Sequence, residues 1–316
     1  MKFNSKKIDI SKYIVYIIFV LCLIIFGIWL KGSFFSLSNL LNITRQAGAV
    51  SVMAIGMVFV IGLGHIDLSI GSVVAVSSLI TAYILRDTGN PVLAVIVAIG
   101  FGAIVGLFNG LCVTTIGMPA FLTTLGSQAI LTGIAMWISA TKAVPITHKG
   151  FLFWFGSGTI GQVPILLWAV GATVIGYIVL NNTSYGRKIL ATGGNATSAK
   201  YSGVRVNKIT VLAFIYNGCL AAIAGTLYAG RAHSARWDFG SGVEMNVIAA
   251  VVLGGTAMSG GTGAAIGALI GSFLIMMIDN GLVIGGLGVA QQTFMRGIII
   301  ILAVALSEIG RMKKRA

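Results

Sequence analysis

Asn181-Asn-Thr-Ser-Tyr-Gly-Arg-Lys-Ile-Leu-Ala-Thr-Gly-Gly-Asn-Ala-Thr-Ser-Ala-Lys-Tyr-Ser-Gly-Val-Arg-Val-Asn-Lys208 is a polar island in an apolar chain. It carries five basic residues (Arg187, Lys188, Lys200, Arg205, Lys208) and no acid, and apolar runs flank it on both sides. Outward from it, the 316 residues are 57% hydrophobic and only 9% charged, with 43 glycines. The mean hydropathy is +1.00. A soluble domain carries about 25% charged residues, so this chain cannot clothe a water-facing surface. Lipid is the solvent that fits. In lipid a helix satisfies its own backbone hydrogen bonds, and irregular backbone is tolerated only where protein or water meets it. The expected fold is all-α: one polytopic membrane helix bundle over residues 1–316, with helix breaks at glycine-rich points.

A span needs about 20 mostly apolar residues. Ten segments qualify: 13–30, 47–63, 71–85, 92–114, 120–141, 164–181, 209–230, 245–257, 264–281 and 293–309. Nine result if 71–85 or 245–257 is re-entrant. The bulky continuation Trp29-Leu-Lys-Gly-Ser-Phe-Phe35 offers no small-residue cleavage site, so 13–30 is expected to be a retained span. With ten spans the termini share a side. Lys2, Lys6, Lys7, Lys12, Arg311, Lys313, Lys314 and Arg315 then join the five basic residues of the 181–208 loop, thirteen of the 21 positive residues. The positive-inside rule makes that side cytoplasmic. Asp87, Asp238, Glu244 and Asp279 are expected outside. Topology thus accounts for the net charge of +14. Basic residues scattered over short loops without stacking aromatics do not describe a nucleic-acid surface.

The polar island has local structure of its own. Gly193-Gly194 is expected to break the chain. Asn195 suits an N-cap and Gly203 a helix C′ position, which leaves Ala196–Ser202 as about two helical turns.

Two further segments interrupt apolar runs, Gly64-His-Ile-Asp-Leu-Ser-Ile-Gly-Ser72 and Gly254-Gly-Thr-Ala-Met-Ser-Gly-Gly-Thr262. Both fit Gly-x4-Ser-x-Gly and both fall at cytoplasmic span ends in the ten-span arrangement. Asp67 stands in the first. An acid near a membrane is a functional candidate, or it caps a helix beginning near Leu68. Gly102, Gly106 and Gly110, like Gly263, Gly267 and Gly271, are spaced by four, the pattern of close helix packing. Asn109, Gln128, Asn217, Gln291 and Gln292 lie in or beside spans, where each faces a pathway or bonds across helices. Asp67, Ser69, Asn109, Gln128 and Asn217 are the candidates for a substrate pathway or gate.

Cys22, Cys112 and Cys219 lie in apolar runs and read as core residues, not as disulfides or a metal site. His65, His148 and His233 are far apart and paired with no acid. No phosphate-cradling loop is present: in Gly194-Asn-Ala-Thr-Ser-Ala-Lys-Tyr201, Ala199 and Tyr201 stand where a P-loop needs glycine and Ser/Thr. No catalytic residue, cofactor or metal is expected. Uphill work would need an ion gradient or a separate motor. Ion-coupled carriers usually show several intramembrane charges; here Asp67, Asp279 and Arg296 are expected near span ends, which favours the motor. A gradient-driven secondary transporter is the alternative, and a non-transporting membrane scaffold a third reading.

Ser36-Leu-Ser-Asn-Leu-Leu-Asn-Ile43, His65-Ile-Asp-Leu-Ser-Ile-Gly-Ser72, Ser184-Tyr-Gly-Arg-Lys188 with Thr192-Gly-Gly-Asn195 and Ser202-Gly-Val-Arg-Val-Asn-Lys-Ile209, and Ile248-Ala-Ala-Val-Val-Leu-Gly-Gly-Thr-Ala-Met-Ser-Gly-Gly-Thr-Gly263 occur in order. Over about residues 34–305 the chain resembles the ribose/galactose/xylose-type permeases of bacterial ABC importers. The resemblance implies a dimeric, usually homodimeric, permease of the bacterial inner membrane that passes a sugar to the cytoplasm. It implies two partners, a cytoplasmic ATP-binding subunit and an extracytoplasmic sugar-binding protein. It also implies that the 181–208 loop is the coupling loop, with Gly193, Gly194, Asn195, Ala199, Ser202, Gly203 and Val204 at the contact with the ATPase. Family members usually carry an acid at or just after the position following Gly-Gly-Asn; here Ala196-Thr-Ser198 stands there.

Overall fold

The computed structural model describes residues 10–156 and 163–295, together with 297, 298, 301 and 305. In chain order the helices are α1 (Ile10–Leu30), α2 (Leu37–Gly62), α3 (Ile70–Thr88), α4 (Pro91–Leu111), α5 (Ala120–Ser139), α6 (Lys149–Phe155), α7 (Val163–Asn182), α8 (Ser184–Gly194), α9 (Ala196–Tyr201), α10 (Val206–Ala232), α11 (Val243–Leu253) and α12 (Ala265–Ile284). A π-helical turn, Cys112–Ile116, prolongs α4. The strands among the described residues are a two-residue pair, β1 (Val144–Pro145) antiparallel to β2 (Ser234–Ala235).

Local chemistry sets the boundaries. Ser36 accepts from the Asn39 amide to start α2. Asn90, just before Pro91, accepts from the amides of Val92 and Leu93 at 3.0 and 3.1 Å and starts α4; a proline at N1 gives up only an amide that would lack an intrahelical partner. Gly89, with φ of 64°, ends α3.

Eight helices among the described residues are long and apolar enough to cross a membrane. The all-α polytopic bundle is therefore observed, and the 71–85 segment forms a helix of full length. The expectation of one helical span over 245–257 is corrected: the chain still passes from the end of α10 to Gly254 at the other end of the bundle, but only partly as helix. That helix has 11 residues, about 16 Å at 1.5 Å per residue, or half of a hydrocarbon core of about 30 Å. Gly254 and Gly255 stop it, the latter at φ 101°. The 293–309 segment, Arg296, the first nine residues and the basic cluster at 311–315 lie largely or wholly outside the described residues.

Helix α2 is the central post. From Ala47 to Ile61 nearly every side chain is fully buried, contacted by α7, α10, α11 and α12. Helices α1, α4, α5 and α7 instead present broad apolar surfaces, such as Ile24 and Ile28, Ile96 and Ile104, Phe121 and Ile130, and Leu167 and Ile175. Exposed apolar surface of that extent suits lipid or a second membrane subunit and not water. The expected glycine packing is observed. A Cβ at Gly102 or Gly106 would overlap the carbonyl oxygens of Gly218 and Phe214, which lets α4 lie directly on α10. Gly267 and Gly271 do the same for α12 against α11. At the end opposite the 183–205 loop, Arg236 donates to Asp238 at 2.9 and 2.7 Å and holds its carboxyl below the usual carboxylate range.

Candidate functional site

Between α2 and α3 runs a strap outside helix and strand, His65–Leu68. It starts at the loop end of the bundle and runs inward, so α3 begins in the interior. There Gly71 lies on Gly240, and Asp67 reaches Asn217. Asn217 is twelve residues into α10, about 17 Å along its axis.

Asp67 is 1% exposed. Its Oδ1 accepts from the Ser69 backbone amide at 2.9 Å and from the Ser69 hydroxyl at 2.6 Å. Its Oδ2 accepts from Nδ2 of Asn217 at 2.9 Å. Asn109 donates to Ser69 Oγ at 3.0 Å and accepts from Ser127 Oγ at 2.5 Å. The Leu68 amide donates to Thr124 Oγ1 at 3.0 Å. Asp67 does not cap α3 directly, since Ser69 holds the N-cap position; it turns the backbone one step ahead of that cap and ties the turn to α10. Four of the five pathway candidates (Asp67, Ser69, Asn109, Asn217) thus form one buried network joining α3, α4, α5 and α10.

The fifth, Gln128, stands apart and donates to Glu244 Oε1 at 3.0 Å. Glu244 is 6% exposed, which corrects its expected position outside. The reason is the short α11, whose N-terminus lies in the interior beside the first turn of α3. Glu244 Oε2 would stand 2.6 Å from a Cβ at Gly71, and helix N-terminal amides favour an anion there. Among the described residues no ion pair reaches Asp67 or Glu244. Asp279 lies in α12, five residues before its end. Ser127, Thr124 and Glu244 were not among the sequence candidates. The signal in α5 was available, because Thr124, Ser127 and Gln128 share one helical face at i, i+3 and i+4. Gln291 and Gln292 close a local turn, accepting from Gly288 N and donating to Leu287 O.

At the loop end, α8 docks through a half-buried Tyr185 and a buried Ile189. The Tyr185 ring lies 6.4 Å from Phe59 of α2, which meets Tyr216 of α10 at 4.7 Å. The expectation that Gly193-Gly194 breaks the chain is corrected: both lie in α8, and the break falls at Asn195. Gly193 serves close approach. A Cβ there would overlap the Gly62 carbonyl and stand 2.7 Å from Gly261 N. Gly261 N donates to Gly62 O at 2.9 Å, and a Cβ at Gly260 would stand 2.7 Å from Gly193 O and 2.9 Å from Gly64 N. The second glycine-rich break therefore meets the end of α8 on one side and the first break, at Gly64, on the other. At Gly194, one residue on, the nearest atom is 3.9 Å away.

The short helix forms as expected. Asn195 Oδ1 accepts from Ser198 N at 2.9 Å. The helix closes with a Schellman pair, Gly203 N to Lys200 O and Val204 N to Ala199 O, both 3.0 Å, with Gly203 at φ 81°. Ser202 Oγ donates to Ser198 O at 3.0 Å. One expectation changes. Ala199 is 5% exposed and faces its own bundle, while Tyr201 is 88% exposed. The outward surface of α9 is Ala196, Thr197, Ser198, Lys200 and Tyr201.

Residues 39–304 match a family model described as "Branched-chain amino acid transport system / permease component". The chain is 37% identical to the ribose import permease protein RbsC of Escherichia coli (strain K12) over 281 residues, 87% of each chain. It is 38% identical to RbsC of Bacillus subtilis (strain 168), covering 88% of this chain and 87% of that one. It is 32% identical to the galactose/methyl galactoside import permease protein MglC of Escherichia coli (strain K12), over 95% of both. No solved structure matches the chain. With the eight apolar helices and the capped loop, these matches show that the chain belongs to this permease family, among its ribose- and galactose-type ABC import permeases.

Proposed function

We propose that the protein is the membrane subunit of an ATP-driven importer that takes a ribose-like pentose or related monosaccharide from an extracytoplasmic binding protein into the cytoplasm. Its relatives RbsC and MglC are named for ribose and galactose import. ATP is hydrolysed in a separate cytoplasmic subunit, and two permease copies form the working unit. The thirteen clustered basic residues support cytoplasmic termini and a cytoplasmic 183–205 loop.

The observation that carries this reading is the placement of α9. A doubly capped helix faces outward, while α8 behind it rests through Gly193 on the end of α2 and on the second glycine break, which in turn touches the first at Gly64. A push on α9 is thereby delivered to the strap that holds Asp67. The Asp67–Ser69–Asn109–Asn217 network and the Gln128–Glu244 pair are the gate in this reading. The buried acids do not by themselves argue for ion coupling, because Asp67 has neutral partners on both oxygens, Glu244 has one in Gln128, and each stands beside a helix start.

The test is reconstitution with the ATP-binding subunit and the binding protein in sealed vesicles. Sugar-stimulated ATP hydrolysis and uptake should appear together. Uptake that continues without ATP and collapses with an ionophore would establish the gradient-driven alternative.

A further inference from the structure

A cleft of about 350 Å³ opens where α8 and α10 meet at the loop end, lined by Lys188, Gly203, Arg205, Lys208, Ile209 and Leu212. Arg205, Lys208, Ile209 and Leu212 follow at i, i+3, i+4 and i+7 and so share one face at the start of α10. Lys188 stands across from them on α8. All three cations are exposed. Among the described residues none is in an ion pair, and the chain has no acid between Asp87 and Asp238. Beyond the cations the wall becomes apolar, with Ile209 buried and Leu212 exposed farther along α10.

We propose that this cleft binds the phosphate headgroup of an anionic phospholipid from the cytoplasmic leaflet, with its acyl chains along Ile209 and Leu212. The placement in that leaflet rests on the cytoplasmic orientation of the loop proposed above. Basic pockets between membrane helices on the cytoplasmic side suit such headgroups, because several cations converge on one phosphate while the apolar wall takes the chains. The order of the lining along α10, charge first and hydrocarbon second, matches a lipid. An acidic protein surface would use the cations and leave the Ile209–Leu212 wall without a role.

The test uses the purified permease alone, without its ATPase, in nanodiscs of neutral phosphatidylcholine or of phosphatidylcholine with 30% phosphatidylglycerol. The wild type should gain several degrees of Tm from phosphatidylglycerol and retain it in native mass spectra. The combined variant Lys188→Gln, Arg205→Gln and Lys208→Gln should lose that gain and at least tenfold in lipid retention, with an unchanged Tm in the neutral lipid. Each single change should lose part of it, which keeps the test decisive if the combined variant does not fold. Arg187→Gln, an exposed neighbour bonded to Ser184, should behave as wild type. The proposal is overturned if the combined variant keeps its lipid, if Arg187→Gln loses as much, or if inorganic phosphate alone reproduces the shift. A parallel pull-down with the ATP-binding subunit reads the other occupant: the proposal is overturned equally if the three changes abolish ATPase association and spare the lipid. Sugar transport by the full complex would stand or fall separately.

Discussion

The two Gly-x4-Ser-x-Gly segments share a pattern and fold differently. In 254–262 the chain closes on itself: Thr262 Oγ1 accepts from Ala257 N at 3.0 Å, and Thr256 Oγ1 accepts from Ala264 N at 3.2 Å. In 64–72 the chain is irregular, and besides the bonds of Ser69 to Asp67 its polar groups are met by Thr124, Asn109 and Asn217 from three other helices. The second break is held mainly by its own threonines, with one backbone bond outward from Gly261 N to Gly62 O. The first is a joint whose shape depends on where α4, α5 and α10 stand. Irregular backbone inside a membrane bundle must find partners, and the source of those partners decides whether a break is fixed or responsive. The first break is therefore the one suited to opening and closing.

That contrast can be broken by mutation, beginning with the largest expected effect. Asp67→Ala would strand the Ser69 amide, the Ser69 hydroxyl and Asn217 Nδ2, each at a cost of about 1–3 kcal/mol where no other partner is found. A large drop in Tm and loss of uptake are expected. Stability equal to wild type would mean that the strap is not held by its network.

Gly193→Ala comes next. It places a methyl group against the Gly62 carbonyl, and overpacking of this kind costs about 1–3 kcal/mol. Gly194→Ala, whose Cβ would make only an ordinary contact with Gly261 Cα at 3.9 Å, should leave thermal unfolding nearly unchanged. If the neighbours respond alike, the junction of α8 with α2 and the second break is not tight.

Thr262→Val should cost about 1 kcal/mol by stranding one amide in the second break, and should leave sugar-stimulated ATP hydrolysis in place. Loss of coupling there would show that the second break moves as well.

Smallest in stability is Tyr201→Ala, which touches an exposed ring and should leave Tm unchanged while sugar-stimulated ATP hydrolysis falls. Asn195→Ala should lower both modestly, since a lost N-cap is worth about 1 kcal/mol. Ala199→Glu should act on the seating of the loop in its own bundle, because Ala199 faces inward.

Much of this architecture was legible in the residues. Apolar length marked the spans, and Asn195 and Gly203 marked α9, because caps are local chemistry. The polar candidates were legible as a set, since Asp67, Asn109 and Asn217 are rare in an apolar context. Their pairing was not, because contacts between residues as far apart as 67 and 217 depend on helix packing and not on spacing. Glu244 was misplaced for the same reason: nothing in its neighbourhood shows that α11 starts inside the bundle. Gly193-Gly194 looked like a break because glycine weakens helices. Only the tertiary contact with Gly62 shows that one of the two is needed for proximity.

The central claim is that a push on α9 reaches the strap at Asp67. Amide hydrogen exchange in the permease, with and without the ATP-locked ATP-binding subunit, tests it most directly. Docking should protect 195–203 and also change exchange across 62–69, while 85–95 at the opposite end stays constant. Protection confined to 195–203, with 62–69 unchanged, would contradict the account and leave the loop as a tether without a route to the gate.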